Sequence, residues 1–154
     1  LLVAADYYGL DFLKEKTFNG IRRFIAKADN ETQGLYTCIL FQETSGIPSL
    51  KSYRLSAVYT LQRNPGLLLP GSRPGVTLLS SENLLELVED QVLRACSWVL
   101  FQAIKMWADN GAFEEELTSE ERIEFSKRCC TKLELRMISP SDLLGPVSVS
   151  GLVD

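Results

Sequence analysis

Leu2-Val3-Ala4-Ala5-Asp6-Tyr7-Tyr8-Gly9-Leu10-Asp11-Phe12-Leu13-Lys14 is written again, in altered residues, as Ile39-Leu40-Phe41-Gln42-Glu43-Thr44-Ser45-Gly46-Ile47-Pro48-Ser49-Leu50-Lys51. Seven positions carry the match: Leu2/Ile39, Val3/Leu40, Asp6/Glu43, Gly9/Gly46, Leu10/Ile47, Leu13/Leu50 and Lys14/Lys51. In each copy glycine falls just past a helical stretch, where the chain turns through the left-handed region and a Cβ is penalised. The apolar residue after it is expected to re-enter the core, with the next helix beginning at once. Such self-similarity predicts stacked helical hairpins, each burying its apolar face on a neighbour.

Helical periodicity continues outward from the repeat. A second helix is predicted from about Asp11 to Ala28, with Leu13, Ile21, Phe24, Ile25 and Ala28 on one face. Asp29-Asn30 stops it, and Asn30 with Gln33 offers a capping box for the next. That helix carries Leu35, Cys38, Ile39 and Gln42 on one stripe, with Tyr36 and Leu40 beside it. Pro48 suits a helix start, where its missing N–H costs nothing. Leu50, Tyr53, Ala57, Val58 and Leu61 then recur at three- and four-residue spacing up to Asn64-Pro65-Gly66.

The segment Asn64 to Val76, with three prolines and three glycines, reads as a surface loop. Its Gly71-Ser72-Arg73-Pro74-Gly75 lacks the Gly-Lys-Ser/Thr ending of a phosphate-cradling loop. A short helix capped by Ser80 or Ser81 runs to about Glu89. The stretch from Ser97 to Ala108 is apolar around its circumference and therefore central. Asn110-Gly111 ends it, Thr118-Ser119-Glu120-Glu121 is a capping box for a helix to about Lys132, and Ser139-Pro140 begins a last one. With no strand-like alternation, the fold class is all-α: stacked helical hairpins in a bundle.

A chain of 154 residues can hide about two thirds of its unfolded surface without staples. The net charge of −4 disfavours an electrostatic grip on nucleic acid or an anionic membrane. Arg22, Arg23 and Lys27 cluster, and read as the solvated side of one helix. Val92 to Trp107 is interrupted by Arg94, Gln102 and Lys105, so it does not span a bilayer. The chain opens within a helical pattern and without methionine, as expected of a piece of a longer protein. Cys38, Cys96, Cys129 and Cys130 are spaced too irregularly for a disulfide framework and predict reduced thiols in an intracellular protein, cytoplasmic or nuclear. The sequon Asn30-Glu31-Thr32 is then incidental.

The complete absence of histidine removes the commonest general base, the usual triads and most zinc sites. No Ser-x-x-Lys or Cys-x-x-Cys arrangement is present. Glu114-Glu115-Glu116 with Glu120-Glu121 is an acidic run favouring a helix dipole, not a metal site. Neither catalysis nor a cofactor or metal is expected.

Ala5-Asp6-Tyr7-Tyr8-Gly9-Leu10-x-x-Leu13 resembles the helical end of a BTB/POZ domain, and the remainder of the chain resembles the BACK domain that accompanies many of them. Thr77 to Val88 is similar to that family's leucine-rich segment. Leu100-Phe101-Gln102-Ala103-Ile104-Lys105-Met106-Trp107 resembles its "V-F-E-A-V-L-R-W" helix. Leu135 to Leu144 is similar to the "hydrophobic-R-x-P-L-L-S-P-x-x-L-L" ending, and Val147 to Val153 to the tail of non-kelch members. Met137 and Val149 stand where the family often has proline, and no kelch repeats are present.

The resemblance implies C-terminal helices of a truncated BTB/POZ domain over residues 1–28 and a BACK domain over 29–154. It implies a protein-interaction scaffold: part of a substrate adaptor for a cullin-3 RING ubiquitin ligase, in a parent protein that dimerises through BTB. Partners would be cullin-3 and a substrate protein. The alternative is a cullin-independent BTB–BACK scaffold in transcriptional or cytoskeletal assembly. In the family the first BACK hairpin, the 3-box, extends the cullin surface. Here that hairpin spans roughly Glu31 to Leu61, which makes Tyr36, Leu40, Phe41 and Ile47 the candidate contacts.

Overall fold

The computed structural model describes residues 1–72, 74–110 and 117–153. Arg73 of the predicted loop, Gly111 and the acidic run Glu114-Glu115-Glu116 lie outside the described residues. All regular elements among those described are helical. They are α1 (Leu2–Tyr7), α2 (Asp11–Lys27), α3 (Asn30–Glu43), α4 (Lys51–Arg63), α5 (Ser81–Glu89), α6 (Ser97–Asn110), α7 (Ser119–Cys130) and α8 (Pro140–Asp142), with short 3-10 turns between several of them. The fold is an all-α bundle around one hydrophobic core.

Both repeat glycines adopt the left-handed conformation, Gly9 at φ 66° and Gly46 at φ 68°. After α1 the Leu10 N–H donates to the Ala5 carbonyl (2.8 Å) and the Gly9 N–H to Asp6 (3.0 Å), which closes the helix end. The two copies differ beyond the glycine. Leu10 is 48% exposed and Leu13 also faces solvent, whereas their counterparts Ile47 and Leu50 pack into or against the core. The expected return to the core thus holds for the second copy alone. Asp6 joins the two turns, accepting from Lys14 Nζ (2.9 Å) and from Ser49 Oγ (2.5 Å).

The buried stripe of α2 is Phe18 and Ile25 with Ile21 beside them, rotated from the predicted face. Phe24, expected inside, is 50% exposed. Phe18 is drawn in because its ring meets Tyr53 of α4 (centroids 4.2 Å apart). At the start of α3 the cap is Asp29, one residue earlier than predicted. Its extended backbone lets the carboxylate accept from the Thr32 N–H at 2.8 Å.

The largest departure from the sequence reading is the Pro/Gly-rich segment. It forms two 3-10 turns, Pro65–Leu68 and Gly75–Leu78, packed between α3 and α6. Leu67, Leu68, Val76 and Leu79 are buried there. The contact is backbone to backbone: a Cβ on Gly34 would lie 2.1 Å from the Leu67 carbonyl oxygen, and one on Gly75 would lie 2.8 Å from the Gly34 carbonyl oxygen. Pairing of Gly34 and Gly75, rather than looseness, explains why glycine stands at these two places.

On the far side of this wedge, α6 buries Leu100, Phe101, Ala103, Ile104 and Trp107, as the sequence predicts of a central helix. Trp107 satisfies its indole N–H by donating to the Leu79 carbonyl at 2.7 Å. Truncating a buried side chain of this size costs about 3–5 kcal/mol. The exposed Lys105–Asp109 pair on the same helix is worth about 1 kcal/mol at most, so packing decides where α6 sits. Helix α7 begins in the predicted capping box, Thr118 and Glu121 bonding each other's backbone N–H groups, and ends at Cys130. Ser139 caps α8, with Pro140 in its first turn.

Candidate interaction site

The four residues singled out as partner contacts do not form one surface. Tyr36 is 41% exposed on α3 and meets Phe24 of α2 edge-on, centroids 5.0 Å apart. These two rings make an open aromatic step across the α2–α3 hairpin. Ile47 is partly buried against the core. Leu40 and Phe41, at 6% and 0% exposure, are interior residues. The expectation that Phe41 meets a partner is therefore corrected: helix α3 is covered on several sides, so a residue beside its apolar stripe is still inside.

Phe41 instead belongs to a buried polar clamp that joins α3, α4 and α5. The Arg54 guanidinium lies 3.7 Å from the Phe41 ring centroid and donates to the Phe41 carbonyl oxygen. That carbonyl is in the last turn of α3, where it lacks the usual intrahelical partner. Arg54 also donates to Asn83 Oδ1 (2.7 Å) and to both carboxylate oxygens of Glu86 (3.2 and 2.6 Å). Asn83 in turn donates to Gln42 Oε1 at 2.6 Å, which also receives the Ser80 N–H at 2.8 Å. Ser45 Oγ completes the set on Asn83 (2.9 Å). Arg54 lies on the same stripe as Leu50, Ala57 and Leu61; a lone charge on an apolar stripe was the sequence signal for this clamp.

Arg22 and Arg23 of α2, read as merely solvated, line a groove of about 660 Å³ whose opposite wall carries Tyr59 and Arg63 of α4. Leu40 and Ala57 contribute to its lining from α3 and α4. Lys27, grouped with the two arginines in sequence, is not part of it.

Burial pushes the thiols of Cys38, Cys129 and Cys130 up to about 12, so none is a ready nucleophile. Among the described residues no three His, Cys, Asp or Glu side chains gather as a metal would require. No helix among them is long and apolar enough to cross a membrane. Compared with protein-family models, curated proteins and solved structures, the chain matches none.

Proposed function

We propose that this chain is a protein-interaction scaffold of the BTB–BACK kind, acting in a cullin-3 RING ubiquitin ligase adaptor as the spacer between ligase and substrate. The observation that carries the reading is the doubled hairpin with its paired left-handed glycines, succeeded in order by the four BACK-like segments. The polar clamp supports it, because Arg54, Asn83 and Gln42 tie three helices into one body, and a spacer must be stiff. On this reading the cullin-facing residue of the second hairpin is Tyr36, backed by Phe24.

Interior placement of Leu40 and Phe41 removes half of the contact set the family resemblance suggested. That observation favours the second reading, a BTB–BACK scaffold that engages no cullin. Calorimetric titration of the cullin-3 N-terminal domain into the natural full-length protein separates the two. The adaptor reading expects micromolar or tighter binding, weakened about tenfold by Tyr36→Ala, the usual size of an aromatic hot spot. Heat change indistinguishable from dilution at cullin concentrations of about 100 µM supports the cullin-independent scaffold instead. Binding indifferent to Tyr36→Ala removes that residue from the interface.

A further inference from the structure

We infer that the groove between α2 and α4 is a binding site for a short acidic peptide segment of a partner protein. Three arginines line it, Arg22 and Arg23 from one wall and Arg63 from the other, and among the described residues no acidic side chain does. The chain as a whole carries a net charge of −4, so this concentration of cations runs against its average. Among the described residues none of the three pairs with a carboxylate, although six ion pairs form elsewhere among them. Two of them are oriented by aromatic rings instead: Arg22 lies 5.8 Å from the Phe18 centroid and Arg63 5.7 Å from that of Tyr59. Guanidinium groups held on rings with their forks free are matched to carboxylates, which they bind bidentately.

The lining between the arginines selects among anionic ligands. Leu40 and Ala57 lie between the walls, apolar and almost wholly buried, while the Gln33 and Asn64 amides lining the same groove have no side-chain hydrogen bond among the described residues. An extended peptide turns alternate side chains to opposite sides and leaves its backbone groups free for such amides. One apolar side chain can then rest on the exposed Tyr59 ring while flanking carboxylates reach the arginines on either wall. A volume of about 660 Å³ is in the range of sites that enclose small ligands or a few residues. Nucleic acid is less suited, because the negative chain repels an extended phosphate backbone beyond the groove. The inference rests on the scaffold reading and gives it a chemically defined partner.

The test is fluorescence anisotropy of a short fluorescein-labelled peptide alternating Glu and Leu, titrated with the full chain in the absence of any cullin. Binding is expected at about 100 µM or tighter, weakened tenfold or more by the Arg23→Gln/Arg63→Gln pair. It should also weaken at about 0.5 M salt, where exposed charges are screened. Lys27→Gln, on the same helix outside the groove, is expected to leave affinity unchanged. Both variants are at exposed positions, and an unaltered circular dichroism melt confirms the fold. Equal loss in Lys27→Gln, no binding at about 1 mM peptide, or tighter binding of an oligothymidylate strand each overturns the inference. Because cullin is absent, these outcomes are independent of whether the adaptor reading fails.

Discussion

Replacing Arg54 with alanine is expected to destabilise the protein far more than replacing its ion-pair partner Glu86. The guanidinium is buried, and two of its acceptors, the Phe41 carbonyl and Asn83 Oδ1, lie where water cannot substitute for it. Each hydrogen bond lost from the charged donor costs about 1.5–3 kcal/mol, at the lower end where Ser45 Oγ still donates to Asn83 Oδ1 (2.9 Å) and Thr44 Oγ1 to the Phe41 carbonyl (3.4 Å), and the stacked Phe41 contact adds about 1–2 kcal/mol. Against this stands the relief of no longer burying a cation, which offsets part of the loss. A net cost of about 3–4 kcal/mol remains, equivalent to roughly 10 °C in melting temperature for a chain of this length. Glu86 has a side chain 55% exposed, so water takes its place at the outer edge of the guanidinium while the Phe41 and Asn83 acceptors still hold the buried cation, and Glu86→Ala should cost less, about 1–2 kcal/mol. Urea unfolding monitored by the fluorescence of Trp98 and Trp107 reads both values. Equal losses from the two variants, or a loss below about 1 kcal/mol for Arg54→Ala, would refute the clamp as described.

The same packing sets three further outcomes. Gly34→Ala places a Cβ against the Leu67 backbone; despite a gain of about 1 kcal/mol in helix propensity, the net loss should be about 2 kcal/mol or more. A melt no lower than that of the parent chain would show that α3 and the Pro65–Leu68 turn are not in backbone contact. Ser126 is buried on α7 with its hydroxyl unpartnered among the described residues, so Ser126→Ala should be neutral or raise stability by up to about 1 kcal/mol, and a clear loss by calorimetry would reveal a hidden partner. Hydrogen bonds from Ser49 and then Lys14 hold the Asp6 carboxyl below its ordinary 3.8. A lowered native value means the stabilisation is present above the unfolded value of 3.8 and is lost as pH falls through the native one. Carbon-detected titration should place Asp6 below 3.8, and Asp6→Asn should blunt the acid lability; a value at or above 3.8 contradicts the network.

Local rules made much of the fold legible in sequence. The Thr118–Glu121 box, the Ser80 and Ser139 caps and the apolar girth of α6 depend on residues within one or two turns of each other, and all are found where expected. Long-range contacts were not legible. Proline and glycine at 64–76 signal a break in the helix equally well whether the segment is solvated or wedged between α3 and α6, and only the partner glycine at Gly34 distinguishes them. Phe18 and Phe24 are one helical face apart, and the choice between them is made by Tyr53, which is distant in sequence. Of the candidate contacts, Tyr36 keeps the exposure the proposal needs and Phe41 does not, because burial of α3 depends on α4 and the 3-10 wedge together. The three groove arginines come from two helices, so no single stretch displays them as a set.

Hydrogen exchange of the natural full-length protein, with and without saturating cullin-3 N-terminal domain, tests the cullin-adaptor account most directly. The account predicts slowed exchange concentrated on the second hairpin around Tyr36, with α7 and α8 unchanged. An exchange pattern identical in the two states, or protection confined to α7 and α8, would contradict it.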